Sequence, residues 1–283
     1  MARFGVFQST HFTTNAALKI PQVVTVHDLF HECLPDCFPE YQVPSFCQRR
    51  RSCINAADFL VCDSDSTLED LNRIFTDLTS PRKTVWLAVD TQFRRLDSSD
   101  RPSEYWKGIS KPFILYVGTR YPYKNFTGLL AGFASWNRRH AFQLLVLGAN
   151  ASPIENALIR AFGLQDAIVF ASATDEELVV AYNRASALVV PSLSEGFGLP
   201  VWEAMACGTP VVASRGGSLE EVGAGIAVHF DFGMPQQLAG ALEEAISIPR
   251  SSERFSDGID IATKRTWDDV ADDYVGIYRE VLN

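Results

Sequence analysis

The sequence predicts an α/β protein: two Rossmann-like domains with parallel sheets covered by helices, the N-terminal one truncated. Three observations carry this. Short apolar runs of strand length alternate with helical patterns along the chain. Residues 96–112 (LDSSDRPSEYWKGISKP here ends at Pro112) are rich in Ser, Asp and Pro, lack a sustained period, and interrupt that alternation. Some six strand candidates follow this break, but only three precede it. The predicted parts are 1–108, a partial first domain; 109–263, a complete second domain; and 264–283, a helix returning to the first.

In chain order, the strand candidates of the first domain are Val23–Val26, Phe59–Cys62 and Thr84–Ala88. Those of the second are Phe113–Val117, Gln143–Leu147, Ala167–Phe170, Ala187–Val190, Val211–Ala213 and Ile226–His229. Each is a brief apolar run, as buried parallel strands are. Phe126, Leu129, Leu130, Phe133 and Trp136 follow helical spacing. So do Trp267, Val270, Ala271, Tyr274, Ile277, Tyr278 and Val281, opposite a face carrying Asp268, Asp269, Asp272 and Asp273.

Composition narrows the function. The 283 residues are 47% hydrophobic, which excludes wholesale disorder. A net charge of −9 argues against a nucleic-acid binder, which needs a basic face, but leaves room for a local phosphate pocket. No apolar run approaches the ~20 residues of a membrane span, and Met1–Thr10 lacks the pattern of a secretion signal. The six cysteines are few and uneven, as for reduced thiols. A soluble cytoplasmic protein is expected, with peripheral contact at a membrane surface compatible with it.

The most informative stretch is Pro191–Pro210, PSLSEGFGLPVWEAMACGTP. A strand ends at Pro191, and a loop with Gly196 and Gly198 leads into a helix. Pro200 suits its first turn and Gly208 its stop. A helix start approached through glycines favours an anion. Glu195 and Glu203 frame it, without a basic neighbour within four residues. Carboxylates there suit hydroxyl donors, hence a sugar or ribose. Favourable charge at a helix start explains them equally well on spacing alone.

The Glu-Gly-Phe-Gly-Leu-Pro run, with a second Glu eight positions after the first, resembles the signature of glycosyltransferase family 4, retaining nucleotide-sugar-dependent enzymes of the GT-B fold. Ile114–Asn125 (ILYVGTRYPYKN) resembles the strand and basic loop opening that family's donor domain. Val23–Leu29 (VVTVHDL) resembles its acceptor-domain strand ending in His-Asp, and Val61–Leu71 its Ser-containing strand-to-helix junction. The resemblance implies an acceptor-side first domain and a donor-binding second one. It implies transfer of a hexose, mannose- or glucose-type, from a UDP- or GDP-linked donor to a glycan or lipid-linked acceptor. Arg120 and Lys124 would neutralise the diphosphate leaving group. Gly118 opens their loop. Backbone N–H groups of Gly196, Phe197, Gly198 and Leu199 would hold the same diphosphate. Glu203 would accept from ribose hydroxyls and Glu195 from the sugar. His27 would hydrogen-bond the transferring sugar. Neither a metal nor another cofactor is implied.

Competing patterns are weaker. Asp63-Ser64-Asp65 superficially matches a metal-binding Asp-x-Asp, but Ser66 with Glu69 gives a capping-box reading of that segment. His31, Cys33 and Cys37 lack a second paired set for zinc. Arg49-Arg50-Arg51 reads as a solvated helix face. Gly196-Phe197-Gly198 meets Val201 where a dinucleotide fingerprint needs glycine. Only 22 residues precede Val23, so no strand is expected ahead of it. The alternative to a transferase is a truncated, inactive nucleotide-sugar-binding protein.

Overall fold

The computed structural model describes residues 5–14, 17, 19–97 and 106–283. The chain divides into two compact units. Unit 1 comprises Met1–Ala88, Ser194–Phe197 and Arg265–Asn283; unit 2 comprises Val89–Leu193 and Gly198–Lys264.

Unit 1 holds a parallel sheet in the order β1 (Phe7–Ser9), β2 (Gln22–Val26), β3 (Phe59–Cys62), β4 (Arg82–Thr84). Side-chain alternation along each strand sorts two cores. Val24, Val26, Leu60 and Cys62 face one way, packing with Ile54 of α2 (Val43–Asn55) and Leu71 of α3 (Asp65–Ile74). The short α1 (Phe30–Cys33) precedes α2. Val23, Phe59 and Val61 face the other way, onto Val270 and Ile277 of the last helix, Trp267–Leu282. That helix starts with a reciprocal capping box between Thr266 and Asp269.

Two expectations for this unit are corrected. A strand does lie ahead of Val23: Phe7–Ser9 pairs in parallel with Gln22–Val24. Twelve residues separate the two strands in sequence, about the shortest connection that parallel pairing allows. The strand escaped notice because Phe-Gln-Ser is three residues long with one apolar side chain. The ladder of β4 runs over Arg82–Thr84, not Thr84–Ala88. Val85 and Ala88 are apolar because they fill the core under the last helix, beyond the paired residues.

Unit 2 holds six parallel strands: β5 (Phe113–Val117), β6 (Gln143–Leu147), β7 (Ile168–Ala171), β8 (Ala187–Val190), β9 (Val211–Ser214) and β10 (Val228–Phe230). Their order is β10-β9-β8-β5-β6-β7. This is the doubly wound order, with a switch point between β5 and β8. Helices α4 (Phe126–Ser135), α5 (Pro153–Ala161), α6 (Asp175–Arg184), α7 (Leu199–Ala206), α8 (Gly217–Gly223), α9 (Pro235–Ser247) and α10 (Glu253–Thr263) surround the sheet; Trp267–Leu282 is α11. Phe126, Leu129, Leu130 and Phe133 of α4 and Leu238 and Leu242 of α9 pack with Ile114, Leu144 and Val189.

The first boundary falls at Ala88/Val89, not 108/109. Phe93 meets Tyr182 edge-on at 5.9 Å. Leu96 N–H donates to Asn183 Oδ1 at 2.8 Å, and Asn183 Nδ2 to Arg94 O at 2.9 Å. These contacts tie residues 89–97 to α6, within unit 2. Residues 98–105 of the expected connection lie outside the described residues. All six cysteines are free thiols. Among the described residues, no helix is long and apolar enough to cross a membrane.

Candidate functional site

In unit 2, the carboxyl ends of β5 and β8 flank the switch point, where open parallel sheets bind ligands. The loop after β5 begins at Gly118, whose φ of 125° suits glycine alone. It closes in a turn, Pro122–Lys124, and ends at Asn125. Asn125 adopts a left-handed conformation and caps α4 by accepting from Gly128 N at 3.2 Å. The loop after β8 joins it directly: Leu193 N–H donates to Tyr123 O at 2.7 Å. Lys124 Nζ lies 5.3 Å from the Tyr123 ring centroid, and that ring stacks with Tyr121.

Arg120 is placed differently from the expectation. Its Nε donates to Glu155 Oε1 at 2.6 Å and its Nη2 to Asn150 O at 2.7 Å. The side chains are 7% and 15% exposed, so the pair is nearly sealed. Burial pushes the Glu155 carboxyl up, but Arg120 and the Ser152 cap outweigh it and hold it below its usual range. Glu155 also closes the capping box of α5 with Ser152. A guanidinium neutralised by its own carboxylate is not an unpaired counter-charge for a diphosphate. Arg120 therefore pins the loops after β5 and β6 together, which leaves Lys124 as the predicted cation of the β5 loop. Glu155 was not singled out because its partner lies 35 residues away, beyond any local pattern.

Helix α7 starts at Gly198, with a φ of 107°. Leu199 and Pro200 form its first turn. It ends as Gly208 and Thr209 donate back to Met205 O and Ala204 O, with Gly208 at φ 67°. Glu203 Oε2 accepts from Tyr182 OH at 2.6 Å. Burial raises the Glu203 carboxyl above its ordinary range, with Tyr182 opposing. It is thus a largely dry acceptor held by a phenol. Tyr182 is another residue that sequence reasoning missed; its spacing in α6 matches a core position.

Residues 194–197 group with unit 1, so Glu195, Gly196 and Phe197 fall there, while Gly198, Leu199 and Glu203 fall in unit 2. Ser64 Oγ donates to Gly196 O at 2.6 Å and Thr67 Oγ1 to the same oxygen at 3.1 Å. A Cβ on Gly196 would come within 2.1 Å of His27 O, so no side chain fits. Phe197 is buried and meets Trp86 edge-on at 6.1 Å.

At the end of β2, His27 Nδ1–H donates to Asp63 Oδ2 at 2.7 Å and Nε2–H to Thr10 O at 2.8 Å. Both ring nitrogens are thus engaged. The helix after β3 is not capped by the expected box of Ser66 with Glu69. The cap is Ser64, which accepts from Thr67 N at 3.0 Å, because the helix begins at Asp65. Nor is Arg49–Arg51 a uniformly solvated face. Arg50 is 1% exposed, donates to Glu32 Oε2 and Asp28 O at 2.8 Å, and lies over the rings of Phe12 and Phe46. Its side of α2 turns inward, carrying Cys53 and Ile54 with it. Among the described residues, no group of three or more His, Cys, Asp or Glu side chains could hold a metal.

A doubly wound parallel sheet with a turn carrying Lys124 and a glycine-led helix at its switch point defines an α/β protein of the open-sheet class. The glycosyl transferases group 1 family model matches residues 104–259, more than half of the chain, and the chain belongs to that family. A D-inositol 3-phosphate glycosyltransferase of Acidothermus cellulolyticus is 29% identical, over 81% of this chain and 54% of its own. The O-antigen chain mannosyltransferase B of Escherichia coli is 28% identical, over 71% and 54%. The chain spans about half the length of these curated relatives. Sucrose-phosphate synthase from Thermosynechococcus elongatus superposes with a TM-score of 0.79 at 23% identity, covering 94% of this chain and 69% of that one. That likeness establishes the GT-B type of fold.

Proposed function

We propose that this chain binds a nucleotide sugar, UDP- or GDP-linked, and transfers its hexose with retention to a glycan or lipid-linked acceptor. The observation that carries this is the switch-point geometry of unit 2, where the β5 loop with Lys124 and the start of α7 flank one sheet position. The N–H groups of Gly198 and Leu199, unused within a helix's first turn, suit a diphosphate. Lys124 supplies a cation as leaving-group charge develops. Glu203, dry and steadied by Tyr182, suits ribose hydroxyls, and Glu195 suits hydroxyls of the sugar. A relative named as an O-antigen chain mannosyltransferase supports a hexose and a glycan acceptor.

No enzymic nucleophile is assigned. A donor phosphate oxygen takes the acceptor's proton as the acceptor oxygen attacks the same face from which the diphosphate leaves. The protein's part is to place both and stabilise the leaving charge. Neither metal nor other cofactor enters this reading. A thermal-shift series with UDP-, GDP- and ADP-sugars tests it, since a ligand of the native state raises the melting temperature. We expect one nucleotide class to stabilise the wild type and to lose that effect in Glu203→Ala. Stabilisation by none of them would overturn the proposal. Binding without release of nucleotide in the presence of acceptors would favour a binding protein without transfer.

A further inference from the structure

The two oxygens of the Glu203 carboxylate in unit 2 have unequal surroundings. Oε2 accepts from the Tyr182 hydroxyl at 2.6 Å. Oε1 has no hydrogen-bond partner among the described residues, yet it is not buried, because the residue is only partly covered. Tyr182 is fully buried and held at both ends. Its ring meets Phe93 edge-on at 5.9 Å, and its carbonyl accepts from Thr209 Oγ1 at 2.5 Å, just past α7. Thr209 N–H in turn donates to Ala204 O, so the phenol is tied to the helix whose carboxylate it meets. Apolar packing at this position needs no hydroxyl, since phenylalanine offers the same ring. Among the described residues that hydroxyl has one partner, Glu203.

We propose that Tyr182 is a positioning residue: by holding Oε2 it fixes the Glu203 side chain with Oε1 presented, and so makes the site select ribonucleotides over nucleotides lacking the ribose hydroxyls. The inference rests on the nucleotide-sugar reading above and uses groups of unit 2 alone. A glutamate has several side-chain torsions to immobilise when a ligand binds, and the phenol immobilises them beforehand. The titratable groups facing the carboxylate are Tyr182 and Asp175 of α6 and Cys207 at the end of α7. None of these is a cation. Burial raises the carboxyl above its usual range, the phenol opposes that rise, and Asp175 adds to it. A protonated carboxyl is the weaker acceptor, so the phenol also keeps Oε1 a strong one as pH falls.

The test is calorimetric titration of the whole chain with UDP and GDP and with their 2′,3′-dideoxy counterparts. Its readout is the ratio of the two affinities on one protein, in which any loss of folded fraction cancels. We expect wild type to prefer the ribonucleotide about tenfold or more, because a site built to bond a hydroxyl rejects an analogue without it. Tyr182→Phe should lower the preference to about threefold or less, with dideoxy affinity changed less than about twofold. Its remaining preference should fall further from pH 8 to pH 6, while that of wild type stays level. Glu203→Gln should abolish the preference, and adding Tyr182→Phe to it should change the ratio no more, as for two residues acting in series. An unchanged ratio in Tyr182→Phe, an equal loss of both affinities, or an effect that persists in the Glu203→Gln background would overturn the proposal. A wild type that binds nucleotide without preferring ribose would overturn it too and leave the nucleotide-sugar reading standing. A wild type that binds neither nucleotide would sink both together.

Discussion

Each unit places a cation–carboxylate pair near the carboxyl ends of its strands, and the two pairs are built oppositely. In unit 2, Arg120 and Glu155 are 7% and 15% exposed, and Glu155 takes further bonds from the cap of α5. In unit 1, His27 is 43% exposed while Asp63 beneath it is 6% exposed. The first pair is sealed on both sides, so its interaction is architectural. The second is sealed only on the acid side and presents its cation. A sealed charge and an exposed one are thus told apart by which partner is covered, not by residue type or by position after a strand.

The largest effect should come from opening the sealed pair. Arg120→Met strands Glu155 and removes the bond to Asn150 O; breaking a pair so enclosed costs about 3–5 kcal/mol. We expect a lower urea midpoint for unit 2, followed by circular dichroism, with donor affinity falling only as far as folding does. An affinity loss without a stability loss would return Arg120 to the role of diphosphate counter-charge. Lys124→Gln should behave in the reverse sense: an unchanged midpoint, with donor affinity down about 10- to 100-fold, roughly 1.4–2.8 kcal/mol. Calorimetric titration showing equal affinities would remove Lys124 from the site.

These two residues also show where the sequence was legible. Four strands, Phe59–Cys62, Phe113–Val117, Gln143–Leu147 and Ala187–Val190, have the bounds their apolar runs predict, because buried parallel strands owe their composition to burial on both faces. The start of α7 at Gly198 and Pro200 and its end at Gly208 were equally visible, since the chemistry of helix ends is local. Phe7–Ser9 was hidden because three residues carry no period. The partners Glu155, Tyr182 and Asp63 were hidden for another reason. They meet Arg120, Glu203 and His27 across 35, 21 and 36 residues, distances only the folded sheets collapse. The sequence thus exposed the groups that carry charge, but not the neighbours that decide what each charge is free to do.

A smaller effect is expected at the phenol that steadies Glu203. Tyr182→Phe removes the donor from a buried carboxyl oxygen and should cost about 1–3 kcal/mol. It should also move the carboxyl further upward, because that bond is what opposes burial. The sign follows from linkage. An acid raised in the folded state binds more protons there than in the unfolded chain, so stability falls as pH rises through its titration. The variant should lose more stability than wild type between pH 4 and pH 7. Urea midpoints with the same pH slope in both proteins would show that the phenol does not set the carboxyl's charge.

The smallest effect on stability belongs to the open pair, and its smallness is the point. His27 rises from 6.5 to about 9 on folding, so the native state holds a proton there that the unfolded chain releases. Its contribution is full below pH 6.5 and is lost as pH rises through about 9. With the ring 43% exposed, solvent screens much of that interaction, and the slope should be shallow. His27→Gln keeps a hydrogen-bonding side chain but cannot titrate. Its urea midpoint should therefore lie below that of wild type at pH 6 and converge on it by pH 9.5. Convergence in the opposite direction, with the two proteins equal at pH 6 and separated at pH 9.5, would mean that the folded chain favours the neutral ring. The covered acid beneath His27 would then be no counter-charge for it, and the distinction between a sealed and a presented pair would fail.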